Sequence, residues 1–130
     1  MEILIKRFDK ETALPAYGRE IGPGINLCAT KEIVVEPGAR VMVPTGVAVA
    51  LPVGYVGTIM DEYSSMAEST IRVTAGVIDS GYRHEVVVEV TNKGEMPHTF
   101  QSGSKVAQML VQKVEHAQMI EAEDLGAGGA

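Results

Sequence analysis

A chain of 130 residues is sized for one domain and can bury about two-thirds of its unfolded surface around a single core. Eleven basic residues against 17 acidic ones give a net charge of −6. That balance argues against a nucleic-acid groove or an anionic membrane as the main partner, and leaves room for a nucleotide, which needs only a few local donors.

The chain opens on a strand-like pattern, with Ile3 and Ile5 on one face of Met1 to Phe8, rather than on a signal peptide. No apolar run approaches the roughly 20 residues of a membrane span. Lys31 to Glu36 reads as a strand that runs into Glu36-Pro37-Gly38-Ala39, where Pro presets the first central position of a type II turn and Gly supplies its positive φ. Arg40 to Val43 is expected to return as the partner strand. Val47, Val49 and Leu51 alternate with Ala48 and Ala50 until Pro52 and Gly54 break the run. A short helix-like stretch spans Ser64 to Ser69, with Ser as its cap. Val86, Val88 and Val90 alternate with Glu85, Val87 and Glu89. Val106 to Val111 is apolar at nearly every position, which calls for cover on both faces. The Gly/Ala-rich segment 124–130 reads as a flexible tail on a domain of residues 1–123.

Hydrophobic residues make up 45% of the chain and aromatic ones only 5%, without Trp, so the core has to be built from Val, Ile, Leu, Met and Ala. Fourteen Gly and six Pro punctuate it at the intervals of short strands. An all-β sandwich or distorted barrel follows. The single Cys28 excludes an internal disulfide and a cysteine-rich metal site, and fits a reducing cytoplasm.

Thr74-Ala75-Gly76-Val77-Ile78-Asp79-Ser80-Gly81-Tyr82-Arg83 carries the most chemistry. It reads as a strand, a Gly permitting close backbone approach, an Asp at a turn and then a Tyr. An exposed hairpin of this kind can pair a pyrimidine base through its own N–H and C=O groups; an ordinary hairpin with a turn Asp fits the same spacing.

The segment resembles the third of the five motifs of trimeric dUTPases, and other pieces stand in the right order around it. Gly22-Pro23-Gly24-Ile25-Asn26-Leu27-Cys28-Ala29 resembles motif one, Ser64-Ser65-Met66-Ala67 the end of motif two, and Gly103-Ser104-Lys105-Val106-Ala107-Gln108-Met109-Leu110 motif four. Val43 to Val47 and Leu51 to Tyr55 match the family's connecting strands. The resemblance covers about residues 20 to 114. It implies a distorted, jelly-roll-like β-barrel of the β-clip kind, assembled as a homotrimer, that splits dUTP or a related pyrimidine deoxynucleotide with Mg²⁺.

By this resemblance Asp79 is the carboxylate that activates water for in-line attack on the α-phosphorus, a sensible base if held within hydrogen-bond reach. Gly76, Val77 and Ile78 meet the base. Tyr82 packs under the deoxyribose and excludes a 2′-hydroxyl, a role compatible with ordinary sheet packing. Gln108 and Lys105 reach the phosphates, although Gln108 on so apolar a strand also reads as an interior amide. Ser64 and Ser65 bond phosphate oxygen, and Ser64 serves equally as a helix cap.

Several positions depart from the family's pattern. Asn26 stands where an Asp orders metal-bound waters, so its contact with Mg²⁺ is expected to be indirect and weaker. Tyr63, after Asp61 and Glu62, stands in the place of the motif-two cation if one residue is inserted after Gly57, and Glu62 stands there if not. Either way acids crowd the site and the cation is lost, a loss worth about 2.7–4 kcal/mol in a phosphoryl site. Motif three has His84 for Gly, and motif four has Ser104 for Asp and Lys105 for Arg. A fifth, Gly-rich motif with an Arg and an aromatic residue would begin near Gly128, and whether such an arm follows stays open. These departures imply weak or undetectable hydrolysis, with binding persisting at a reduced level. The alternative is a non-catalytic nucleotide-binding sensor, sponge or regulator of the same fold. The related dCTP deaminases place a catalytic Glu at Glu89, which on alternation shares a solvated face with Glu85 and Thr91.

Overall fold

A computed structural model describes residues 1–17, 23–61 and 70–128. Among them there is no helix, and no segment long and apolar enough to cross a membrane as one. Eleven strands follow in order: β1 (Leu4–Arg7), β2 (Ile25–Cys28), β3 (Ile33–Val35), β4 (Arg40–Pro44), β5 (Val47–Ala50), β6 (Tyr55–Met60), β7 (Ile71–Val73), β8 (Gly76–Ile78), β9 (Val87–Asn92), β10 (His98–Phe100) and β11 (Lys105–Lys113).

They form a four-stranded sheet β2-β11-β6-β8, a three-stranded sheet β4-β9-β7, and two pairs, β1-β5 and β10-β3. All pairings are antiparallel. This is the expected all-β, jelly-roll-like architecture, with no closed barrel. The valine alternation sorts as anticipated: Val86, Val88 and Val90 are buried, and together with Val35, Val43, Leu27 and Met109 they fill the core between the sheets. Burying side chains of this size stabilises each by about 1.5–3 kcal/mol.

Two expectations about pairing fail. The Glu36–Ala39 turn is present, with Gly38 at φ 78° and Ala39 N–H donating to the Glu36 carbonyl at 2.9 Å. Yet the strands on either side of it do not pair: β3 takes β10 and β4 takes β9. The cause is Asn92, fully buried, whose Nδ2 donates to the carbonyls of Val35 and Met96. Its backbone meanwhile trades bonds with Gly38 and Ala39. The turn is thus tied to β9 rather than closed on itself.

The second failure concerns β8 and β9. They do not form a ladder with each other; β8 pairs with β6, and β9 with β7 and β4. The chain splays between two sheets, and Asp79 to Val86 is the bend joining them.

Strand β11 has both faces covered within the chain from Val106 to Met109, while Leu110 and Val111 are half-buried. A register shift against β2 between Lys105 and Ala107 marks a bulge there. This strand therefore does not of itself demand a second subunit. After Val114 the described residues are exposed and outside any strand, and they include Met119, Ile120 and Leu125.

Candidate active site

The nominated residues fall into two groups, held in place by different means. The first is the bend. Strand β8 is the edge of its sheet, Val77 is 69% exposed, and open space faces Gly76. Its outer edge presents backbone donors and acceptors to which a planar, hydrogen-bonding ring can pair, as an added strand would. Directly after it, Asp79 is exposed and locally braced. Its Oδ1 accepts from Gly81 N–H at 2.9 Å and its carbonyl from Tyr82 N–H at 3.3 Å, an Asx turn. The other carboxylate oxygen carries no bond among the described residues, on a residue open to solvent. Tyr82 is half-buried against the core, and its hydroxyl donates to the Glu85 carbonyl at 3.0 Å. With the hydroxyl occupied, Tyr82 offers a ring, not a donor. The His84 ring stands edge-on to it, 5.5 Å between centroids.

The second group centres on the buried Gln108. Gln108 on β11 lies in register between Asn26 of β2 and Met60 of β6. Its Nε2 donates to the Asp61 carbonyl at 2.9 Å, and its Oε1 lies so close to Gly24 that a Cβ there would come within 2.2 Å. Gln108 is thus an interior amide held by one hydrogen bond, with one amide hydrogen left to reach a ligand. Asn26 Oδ1 is buried with no protein partner among the described residues. Asp61, anticipated as one more acid crowding the site, instead accepts from Val73 N–H at 3.0 Å and anchors β7. Lys105 stands opposite Cys28. Burial pushes the Cys28 thiol above its usual pKa, and the Lys105 charge partly offsets this. Ser64 and Ser65, with Glu62, Tyr63 and the helix-like stretch, lie outside the described residues.

The two groups share one sheet, but β6 stands between β8 and β11, a separation of two strand spacings, about 10 Å.

Among the described residues no cluster of three or more His, Cys, Asp or Glu could hold a metal. Asn26 Oδ1 is nonetheless a hard, neutral, unpartnered acceptor. That suits a water on Mg²⁺, an ion that keeps several of its waters and leans on substrate phosphates; it does not suit a direct protein cage.

A dUTPase family model matches residues 10–128. The deoxyuridine 5′-triphosphate nucleotidohydrolase of Nocardia farcinica is 39% identical over 98% of this chain and 82% of its own length. The chain belongs to the dUTPase family. The nucleotidohydrolase of the same name from Rhodococcus erythropolis is 36% identical over 99% of this chain and 84% of its own. In fold, a dUTPase of Staphylococcus bacteriophage 80alpha, bound to dUpNHpp, superposes with a TM-score of 0.87 at 17% identity, over 98% of this chain and 92% of that one. A dUTPase of phage phi11, whose structure reveals coordination of a structural Mg(II) ion, gives the same TM-score at 16% identity, over 98% of this chain and 100% of that one.

Membership also disposes of the deaminase comparison at Glu89. That carboxylate is in an ion pair with Arg40, Nε to Oε1 at 3.0 Å, on the outer face of β9. Sequence reasoning missed Gly24, the binding partners of Asp61, and Glu85. The Gln108 beside Gly24, the Val73 N–H on the Asp61 carboxylate and the Gly46 N–H on the Glu85 carboxylate are 84, 12 and 39 residues away in the chain, and no local pattern announces them.

Proposed function

We propose that this chain hydrolyses dUTP to dUMP and pyrophosphate, with Asp79 activating the attacking water. The observation that carries the reading is the Asx-braced Asp79 set immediately after the open edge of β8. It joins an open strand edge to an exposed carboxylate on one bend. Family membership and the names of the relatives support the same reaction.

In this reading Gly76, Val77 and Ile78 recognise the uracil through their backbone, and Tyr82 walls the sugar. Gln108 uses its remaining amide hydrogen on a phosphate, with Lys105, Ser64 and Ser65 completing the phosphate contacts. Magnesium, carried by the substrate's phosphates, would touch the protein through water at Asn26, and supplies charge neutralisation on the triphosphate. Asp79 holds the proton taken from water. The steric wall at C2′ rejects a ribonucleotide.

The separation of the bend from the Gln108 cluster, together with the exposed Met119, Ile120 and Leu125 beyond Val114, supports a homotrimer whose sites combine residues of neighbouring subunits. Sedimentation equilibrium returning a monomer at micromolar concentration would remove that part of the reading. A cytoplasmic setting fits the unpaired Cys28.

The test of the activity is pyrophosphate release from dUTP and UTP with Mg²⁺. Release from dUTP with UTP spared is the expected result. Clear dUTP binding without turnover would move the function to nucleotide sensing or sequestration.

A further inference from the structure

We infer that Glu85 is a positioning residue for Tyr82, and through it for the sugar specificity of the nucleotide site; this rests on the dUTPase reading above. Tyr82 can wall a deoxyribose only if its ring is fixed, and its hydroxyl is fixed by one bond, to the Glu85 carbonyl at 3.0 Å. The direction of that carbonyl is set by the peptide unit joining Glu85 to Val86. In a trans peptide the N–H and C=O point opposite ways, so pinning one aims the other. The Val86 N–H is pinned, donating to the Val47 carbonyl at 2.8 Å, and the Val86 carbonyl accepts from Thr45 N–H and the Thr45 hydroxyl.

The Glu85 side chain completes the clamp. Its Oε2 accepts from Gly46 N–H at 2.8 Å, across 39 residues of chain. Gly46 is buried at φ 73°, and a Cβ there would come within 2.6 Å of Thr30. Its N–H therefore sits in a turn that only glycine can make, with a carboxylate as its partner. Removing that carboxylate orphans a buried donor. It also leaves the 85–86 peptide held by the Val86 N–H bond alone, so the carbonyl, and the Tyr82 hydroxyl with it, loses one of its two restraints. The β4–β5 turn is thus the fixed post, Glu85 the link and Tyr82 the part held.

The experiment compares Glu85→Ala, Glu85→Gln and Glu85→Asp with the unmodified chain, reading kcat and KM for dUTP and UTP. Glutamine keeps an acceptor at the same reach and holds the dUTP-over-UTP ratio of kcat/KM to within about twofold. Alanine, and aspartate one methylene short, lower that ratio by about tenfold or more, the scale that a misplaced wall allows. Amide hydrogen exchange reads the same link without turnover: in Glu85→Ala, Gly46 and residues 79–84 exchange faster together. Equal ratios in all variants would overturn the inference. So would a glutamine variant as impaired as alanine, which would assign the effect to charge. Faster exchange at Gly46 with residues 79–84 unchanged would also overturn it. If Glu85→Ala does not fold, the aspartate and glutamine pair carries the test. Absence of dUTP hydrolysis in the unmodified chain would instead sink the activity, and the exchange experiment would still decide the link.

Discussion

The bend from Asp79 to Glu85 and the cluster of Gly24, Asn26 and Gln108 both fix polar groups, by opposite means. At the bend the fixing is done by backbone: Asp79 and Tyr82 are braced by N–H and C=O groups within three residues, and the carboxylate stays exposed. In the cluster the fixing is done by burial: Gln108 reaches the Asp61 carbonyl 47 residues away, and its position depends on the space left by Gly24. An exposed, locally braced group can change chemistry without disturbing the core. A buried one cannot, because its neighbours are packed to fit it.

The largest effect expected from this contrast is on turnover. Asp79→Asn keeps an oxygen that can accept from Gly81 N–H but removes the base, so pyrophosphate release falls by about 10²- to 10⁴-fold while the thermal midpoint moves by no more than a few degrees. A collapse of folding would show that Asp79 is a structural turn residue, and the contrast would break.

Next comes Gly24→Ala. The added methyl collides with the Gln108 amide and its Cβ, and overpacking of this kind costs about 1–3 kcal/mol. Urea titration should show an earlier midpoint and, since the Asp61 carbonyl loses its donor, weaker nucleotide binding as well. An unchanged midpoint would mean that the buried cluster yields as easily as the bend.

The smallest effect concerns Cys28, at the cluster's edge. Burial raises its folded pKa above the unfolded value, so the folded chain binds its proton more tightly. Its contribution to stability is complete below the unfolded thiol pKa and declines as pH rises from there through the folded value. Thermal melts of Cys28→Ala against the unmodified chain should run parallel at neutral pH, with the unmodified chain falling more steeply in the alkaline range. Parallel curves throughout would place the thiol in solvent.

The same contrast governs what could be read from the sequence. Local chemistry was legible. The Gly38 turn, the inward Val86, Val88 and Val90, and a turn Asp followed by a packed Tyr all follow from neighbours a few residues apart. Partner choice was not. The turn at Gly38 predicts a hairpin, but Asn92 draws both of its strands elsewhere. The motif around Asp79 predicts a second hairpin, but β8 finds a lower-energy place on β6. The roles of Asp61 and Glu85 were invisible for the same reason: each is defined by an N–H donor on another strand or turn, and any polar side chain looks alike until that donor is known.

The position of β11 has a consequence for how the chain is made. It is the inner strand between β2 and β6, yet it follows every other described strand in the sequence. During synthesis β2 and β6 emerge first and must wait, each with an open edge, for residues some 50 to 80 positions downstream. Long-range closure of this sort makes all-β domains slow to fold, and unpaired edges are sites of mispairing between nascent chains. Until Lys105 to Lys113 leaves the ribosome the four-stranded sheet lacks the strand that joins β2 to β6.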